Sequence, residues 1–445
     1  MQDDALFPIG AVKPGDTVVS ATPRVQRPER NQVEFFNTDI DSLIPDEHEV
    51  RVVWEYAEAA DLSTLYGQIK AFEGRAGRTP IDPRILLALW LYATLRGVGS
   101  ARQLDVLCHE HLAYRWLCGN VSVNYHTLAD FRAESGTVFD ALLSAGIARL
   151  RSAGLVTLER VAHDGIRVRA SAGSGSFRSK KTLDRFRQEA DEQVRVLKAE
   201  LHDAPGASTA RQKAARKRAA EDRVARVKAA LTHYPEVYAK RKKDKDETRV
   251  SVTDADARKM KMADGGFRPA YNVQLSADTG SQIIVGASVS QAGGDYALMV
   301  PAVQQIEAQS GRVPKELLCD GGFAKPESVE ELSQAPYVCT VYAPPPVLKD
   351  KTGQTLERKK APGPGEAQWR ERMALESSTP IYRQRASTIE CVNALARNRG
   401  LQQFRVRGKT KVYATVLLFA LVHNLMREQS LKREKAERCE LRNTG

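Results

Sequence analysis

Apolar and polar positions follow two different periods along this chain, and the change between them divides it. From Glu47 onward Val50, Val53, Trp54 and Ala57 recur at i, i+3, i+4 and i+7, the one-sided stripe of an amphipathic helix. Asp82-Pro83 supplies an N-cap with proline in the first turn, which predicts a helix over 84–95 stopped by Gly97 and Gly99. Ser100 with Gln103 three residues on forms a capping box and starts a helix running to about Cys108. Further short helices are expected over 109–117, ended by Gly119-Asn120, over 128–134, opened by Thr127 and Asp130, and over 139–153. Tight turns join them, so 46–155 reads as an all-helical module.

Near Val156 the period becomes two. Residues 158–170 alternate, placing Ala162, Asp164, Ile166, Val168 and Ala170 on one strand face. Strands are expected again at 271–277 and 282–290, joined by Asp278-Thr279-Gly280, and at 316–319 and 337–342. Helices are expected over 296–310, 327–333, 386–398 and 412–427. Strands with intervening helices make 156–430 a mixed α/β region. Residues 1–45, with Pro8, Pro14, Pro23, Pro28 and Pro45, read as a loose arm; 344–364 is rich in Pro and Lys, and 431–445 is a charged tail.

Charge sharpens this division. The 445 residues carry 67 Lys+Arg against 55 Asp+Glu, a formal charge of +12, and a basic balance favours polyanion partners. The excess is uneven. From Arg178 to Glu247 there are 20 Lys/Arg against 12 Asp/Glu, and Gly and Pro are nearly confined to Pro205-Gly206 and Pro235. Segment 178–248 therefore reads as two long charged helices inserted into the α/β region. One reading is a solvated hairpin; the other is an arm that tracks phosphates or dimerises.

Composition excludes several classes. With 42% hydrophobic residues the chain can build a core. Its longest apolar run, 413–422, is half of the roughly 20 residues a membrane span needs. The start, MQDDALFPIG, lacks a basic region followed by an apolar stretch, so no secretory signal is expected. Six scattered cysteines without a C-x-x-C pair point to a reduced, cytoplasmic protein.

Few chemistries survive inspection. Gly173-Ser174-Gly175 lacks the lysine of a phosphate loop, and no serine elbow is present. Cys108, His109, His111 and Cys118 fit no common zinc spacing. What remains is carboxylates. Asp164 stands within an apolar strand face, where an unpaired carboxylate is costly. Asp320 ends a strand and precedes Gly321-Gly322, the end of a sheet where ligands gather. Glu390 lies on a predicted helix among Tyr382, Arg383, Arg385, Arg397 and Arg399. Carboxylates suit Mg²⁺, two such ions can stabilise a phosphodiester displacement, and nearby arginines can hold the phosphate. Each acid also has a structural reading: Asp320 as a turn residue, Asp164-Gly165 as a bulge, Glu390 as an ion pair with Arg397. Asp295 is expected to be an N-cap, Asp278 a hairpin-turn residue, and Trp369 a packing residue rather than a base-stacking one. Glu371 and Glu376 are rivals to Glu390.

The stretch from His163-Asp164-Gly165 through Leu318-Cys319-Asp320-Gly321-Gly322-Phe323 to Tyr382, Arg385, Glu390 and Arg397 resembles bacterial insertion-sequence transposases of the DDE class. IDPRILLALWLYATLRGVGSARQL and NYHTLADFR resemble the N-terminal helical domain of one branch, so the likeness spans about 50–425. It implies an RNase H-like catalytic domain with Asp164, Asp320 and Glu390 as the catalytic, metal-binding triad. The implied cofactor is Mg²⁺, two ions, with Mn²⁺ able to substitute. Tyr382, Arg385 and Arg397 match the family's Tyr–Arg–Glu–Lys signature, with two departures: four residues rather than three separate Arg385 from Glu390, and Arg397 replaces Lys. The helical module becomes a DNA-binding domain, with Arg102, Arg115 and Arg132 as candidate backbone contacts. The partners implied are double-stranded DNA, as terminal inverted repeats and target, and a second copy of the chain. The activity implied is strand cleavage and strand transfer; the alternatives are a catalytically silent DNA-binding descendant and a structure-selective nuclease.

Overall fold

The computed structural model describes residues 39–70, 79–203, 209–241, 244–347 and 361–443. The chain forms two compact units, Met1–Leu43 and Ile44–Gly445. Residues 1–38 of the expected arm lie outside the described residues; in the rest of that unit Ser42 donates its backbone N–H to Asp39 at 2.9 Å.

The second unit opens with helices. α1 (Glu49–Ala59) starts where the His48 ring accepts from the Val50 N–H at 3.1 Å, and a single turn, α2 (Ser63–Tyr66), follows. α3 (Pro83–Leu95) is capped as expected: Asp82 accepts from the Arg84 N–H at 2.8 Å, and Pro83 fills the first turn. Ser100 caps α4 (Ala101–Glu110). The helix expected over 109–117 is replaced by a break at His111. That residue ends α4 in extended backbone, and its ring then accepts from the Ala113 N–H to open α5 (Leu112–Cys118). α6 (Tyr125–Glu134) begins earlier than Thr127 and Asp130 suggest, because Asn124 accepts from both the His126 and Thr127 N–H groups at 3.1 Å. α7 (Gly136–Ser152) leads to the sheet.

The main sheet runs through β1 (Arg160–Arg169). A two-stranded ladder of β2 (Phe177–Arg178) and β3 (Val250–Ser251) flanks the expected insertion, α8 (Lys180–Asp203) and α9 (Ala210–Lys240). Thr209 and Gln212 cap α9 reciprocally. Arg223 ties the two helices together through Glu189 at 3.2 Å and Gln193 at 2.6 Å, and Leu183, Ala230, Tyr234 and Val250 make a small core at the base. Pro205-Gly206 lie outside the described residues, as do Lys242-Lys243.

β4 (Arg258–Lys261), β5 (Phe267–Asp278), β6 (Ile284–Ser290), β7 (Glu316–Leu318) and β8 (Thr340–Tyr342) complete the sheet. Its order is β4-β5-β1-β7-β8, with β6 also paired to β5. The β1–β5 pairing is antiparallel, whereas β1–β7 and β7–β8 are parallel. β4 escapes the alternation test because RKMK buries only Met260. α10 (Met299–Ser310), α11 (Pro326–Leu332) and α12 (Pro364–Ala374) connect and cover the later strands; residues 348–360 of the Pro/Lys-rich stretch lie outside the described residues.

The chain closes with α13 (Ser378–Arg385), a π turn at Ala386–Glu390, α14 (Cys391–Asn398) and α15 (Lys409–Asn443). α15 extends the expected helix through the charged tail. Its apolar run, Val416 to Val422, is buried, and Asn424 exchanges two hydrogen bonds with the Ile284 backbone at 2.7 and 2.8 Å. One continuous apolar core therefore joins the early helices to the sheet. The result is a mixed α/β architecture with a helical N-terminal region. No helix among the described residues is long and apolar enough to cross a membrane.

Candidate active site

Alternation along β1 sends Asp164 to one sheet face and His163, Gly165 and Arg167 to the other. β1 and β7 run parallel with Ala162 opposite Leu318, the last pair of that ladder; Asp320 follows two residues later, near enough for its charge to act on Asp164. Neighbouring strands lie roughly 4.8 Å apart, which puts the two carboxylates within each other's field. That field is felt. The Asp164 carboxyl is pushed up to about 6, chiefly by burial; the Gly165 N–H opposes this, the Asp320 charge adds to it, and Arg385 works against it. Asp164 accepts from Gly165 N–H at 2.8 Å through Oδ1 and from Asn393 Nδ2 at 3.1 Å through Oδ2. Asp320 is half-buried, and its Oδ1 accepts from the Gly322 N–H at 2.8 Å. The turn reading of Asp320 is met by that one oxygen and is compatible with the site reading.

The third carboxylate arrives through the π turn. Arg385 Nη2 donates to Glu390 Oε1 at 2.8 Å, while Nη1 stands 3.7 Å from Asp164 Oδ2. In an α-helix a five-residue step turns two side chains apart; i→i+5 bonding widens the turn and returns the fifth residue to nearly the same side. The extra residue noted in the sequence between Arg385 and Glu390 is absorbed there. Glu390 is about half exposed, with 54% of its side chain accessible, and its partner is Arg385, not Arg397. Arg397 lies exposed two turns further along α14.

Tyr382 borders the same group. Burial lifts its phenol above the ordinary value, while the Arg385 charge and hydrogen bond oppose this and Asp320 adds to it. Burial acts to lower the Arg385 pKa, but the surrounding Tyr382, Asp164, Glu390 and Asp320 outweigh it and raise it. Among the described residues no three His, Cys, Asp or Glu side chains converge closely enough for one metal ion; the Arg385 guanidinium stands between Asp164 and Glu390. Asp164 and Asp320 are adjacent hard oxygen donors whose mutual repulsion a divalent cation would relieve, so this pair fits such an ion.

The opposite face holds a different arrangement. His163 is buried between Ser276 Oγ at 2.8 Å and Gln274 Oε1 at 2.9 Å, and burial pushes its pKa down to about 4 against the Gln274 bond. Gln274 and Asn272 both donate to Asp295 Oδ1, at 3.2 and 2.6 Å, and Arg167 donates to its Oδ2 at 2.6 Å. The expectation that Asp295 caps the following helix is therefore corrected. α10 starts at Met299 after Leu298, without a side-chain cap, and a guanidinium with two amides claims the carboxylate instead. Gly165 is required here: a Cβ would meet Gln274 Nε2 at 2.3 Å and the Asn272 and Asp295 oxygens at 2.8 Å.

The other candidates have clear positions. Asp278 is buried in the hairpin turn, accepting from Gly280 and Ser281 on one oxygen and from Thr157 and Leu158 on the other. Trp369 is fully buried and donates to Ala343 O at 3.0 Å, a packing role. Glu371 and Glu376 are exposed, and Arg385 meets neither of them. Arg102 and Arg115 are exposed, Arg102 lying over the Tyr125 ring at 5.3 Å. Arg132 is only 5% exposed, stacked on Trp90, so its guanidinium is inside the molecule rather than on a surface. Asn393 was missed by sequence reasoning. Its signal is its place three residues past Glu390, on the stripe that α14 turns toward β1.

Two family models match the chain: a transposase domain (DUF772) over residues 38–134, and a transposase DDE domain over residues 339–428. No curated protein and no solved structure matches it. The first match contains Arg102, Arg115 and Arg132; the second contains Tyr382, Arg385, Glu390 and Arg397 but neither Asp164 nor Asp320. The pair indicates transposase activity and supports a DDE-type transposase, a class that acts on DNA and generally uses divalent metal ions.

Proposed function

We propose that this chain is a transposase with an RNase H-like catalytic region that cuts DNA at the terminal inverted repeats of its own insertion sequence and joins the freed ends to target DNA. The observation that carries this reading is the charge of Asp320 acting on the buried Asp164 carboxyl, with Arg385 linking Asp164 to Glu390. Asp164, Asp320 and Glu390 are the catalytic and metal-binding residues, and two Mg²⁺ ions, replaceable by Mn²⁺, are the cofactors. Bound divalent ions would activate a water or 3′-hydroxyl and offset charge on the phosphate under attack.

The chain's own residues prepare that chemistry. Asn393 and the Gly165 N–H fix the orientation of Asp164, so its second oxygen keeps a defined direction. Arg385 neutralises part of the acidic cluster and, on release of Glu390, can turn its guanidinium to a phosphate. Tyr382 limits where that guanidinium can go. Arg397 and the exposed Arg102 carry the remaining DNA contacts. Two DNA ends must be brought together, which calls for a homodimer or a larger assembly.

The test is cleavage of a duplex carrying the element's end sequence, in Mg²⁺ and in Mn²⁺, followed by a strand-transfer assay with a target plasmid. Asp164→Asn and Asp320→Asn should each lower cleavage at least about 10³-fold, the loss expected when several kcal/mol of metal-assisted stabilisation disappear. Cleavage at parental rates in either variant contradicts the assignment.

A further inference from the structure

A second charged site lies away from these acids, where the early helices meet the C-terminal segment. A narrow cleft of about 40 Å³ opens there between the Gly97–Gly99 turn, Gly400 and α15. Arg132, Arg399 and Arg405 all line it, and no Asp or Glu does. Three segments supply the arginines: α6, the end of α14, and the loop before α15. Arg132 lies flat on Trp90, 4.0 Å from the ring, and Nη1 donates to Gly99 O at 2.7 Å. Its Nε is buried with no hydrogen-bond partner among the described residues, and neither has Nη1 of Arg399. Glu49, whose field reaches Arg399, is itself paired with Arg96 at 2.9 Å. Arg405 is exposed at the rim.

Cations held this way are costly. A buried guanidinium normally faces a carboxylate, and a buried N–H left without an acceptor loses the full desolvation of that group. Burial already drives the Arg132 pKa down to about 10. The backbone itself is held tight, for a Cβ on Gly400 would come within 2.9 Å of Gly97 O. At roughly 10–15 Å³ for a water-sized atom, the cleft admits about three or four oxygens but neither a sugar nor a base.

We propose that this cleft binds one phosphate-class oxyanion, whose oxygens enter between Arg132 and Arg399 while Arg405 closes over the mouth. Only the source of the phosphate rests on the transposase reading: in a DNA-acting protein it is a backbone phosphate, and otherwise it is free inorganic phosphate. Bound there, an anion would pin the helical region against α15.

The test uses the full chain with inorganic phosphate as the probe, against chloride at matched ionic strength. Phosphate should raise the thermal midpoint of the parent by a few degrees more than chloride; Arg399→Gln should abolish that difference and Arg405→Gln should reduce it. Arg132→Met alters a buried packing position, so the two other variants, checked by circular dichroism, carry the decision. No advantage of phosphate over chloride in the parent, or an equal advantage in Arg399→Gln, overturns the proposal. A second arm measures duplex binding against salt. If the source is DNA, Arg399→Gln lowers the slope of log K against log salt by about one and phosphate competes with the duplex. An unchanged slope, with phosphate stabilisation still lost in the variant, supports the oxyanion site and overturns DNA as its source. Neither arm needs strand cleavage, so failure of the catalytic reading would be seen separately.

Discussion

Asp164 and Asp295 sit on opposite faces of one strand pair and receive opposite treatment. Asp295 is met by a guanidinium and two amides, all of them hydrogen-bond donors. Asp164 has one amide, one backbone N–H, a guanidinium at 3.7 Å and a second carboxylate beside it. The first arrangement is complete as it stands and fixes the 291–298 loop to the sheet. The second is left short of positive charge, which suits the cation site proposed for it. A perturbed acid in a partly open position marks chemistry better than an acid that is merely buried.

The widest separation between the two acids is expected in activity. Asp164→Asn should lose cleavage by about three orders of magnitude or more, while folded Asp295→Ala stays within about tenfold of the parent, because of these two acids only Asp164 has a place in the proposed mechanism. Equal losses would erase the distinction.

Stability should separate them in the reverse sense. Removing Asp295 strands Arg167 near a buried amide pair, and urea denaturation should show a loss of about 2–3 kcal/mol, below the range for fully buried pairs because Arg167 is partly accessible. Asp164→Asn should instead stabilise the metal-free protein by about 1–3 kcal/mol at pH 8. The sign follows from its pKa of about 6 in the folded chain, above the ordinary 3.8. Below 3.8 both folded and unfolded forms are protonated; between 3.8 and 6 the unfolded chain ionises while the folded carboxyl keeps its proton, so the cost to folding accrues there and is complete above 6. The gain should therefore vanish near pH 3.5, and a gain independent of pH would refute this cause.

A further effect belongs to the satisfied face. His163 is held neutral, with a pKa near 4, so protons bind the unfolded chain first as pH falls below 6.5. Stability should drop between pH 6.5 and 4 by up to about 1.4 kcal/mol per pH unit for each such histidine. Buried His423, also pushed down to about 4, adds a second equal slope. His163→Gln should remove one of the two, and an unchanged slope would show that His163 does not titrate this way.

Much of this was legible in the chain before its structure. The period-two run announced β1 and set Asp164 on the apolar face, and Asp82-Pro83 announced α3, because those signals are local. Other features depend on partners that are distant in sequence. Asp295 looked like a cap until Arg167 and the β5 amides were seen to compete for it. A one-residue departure between Arg385 and Glu390 gives no hint that a π turn will absorb it. Arg132 looked like a surface contact because nothing nearby in sequence shows that Trp90 lies beneath it. Asn393 carried a signal only once Glu390 fixed which side of α14 meets the sheet.

The central claim is that the Asp164 and Asp320 carboxylates hold the divalent cations, with Glu390 joining them once Arg385 releases it. Electron paramagnetic resonance of Mn²⁺ added to the full chain with an end-sequence duplex measures this without relying on turnover. The account predicts bound Mn²⁺ in the parent, its loss in Asp164→Asn and Asp320→Asn, and weaker binding in Glu390→Gln. Undiminished Mn²⁺ binding in the two aspartate variants would contradict it.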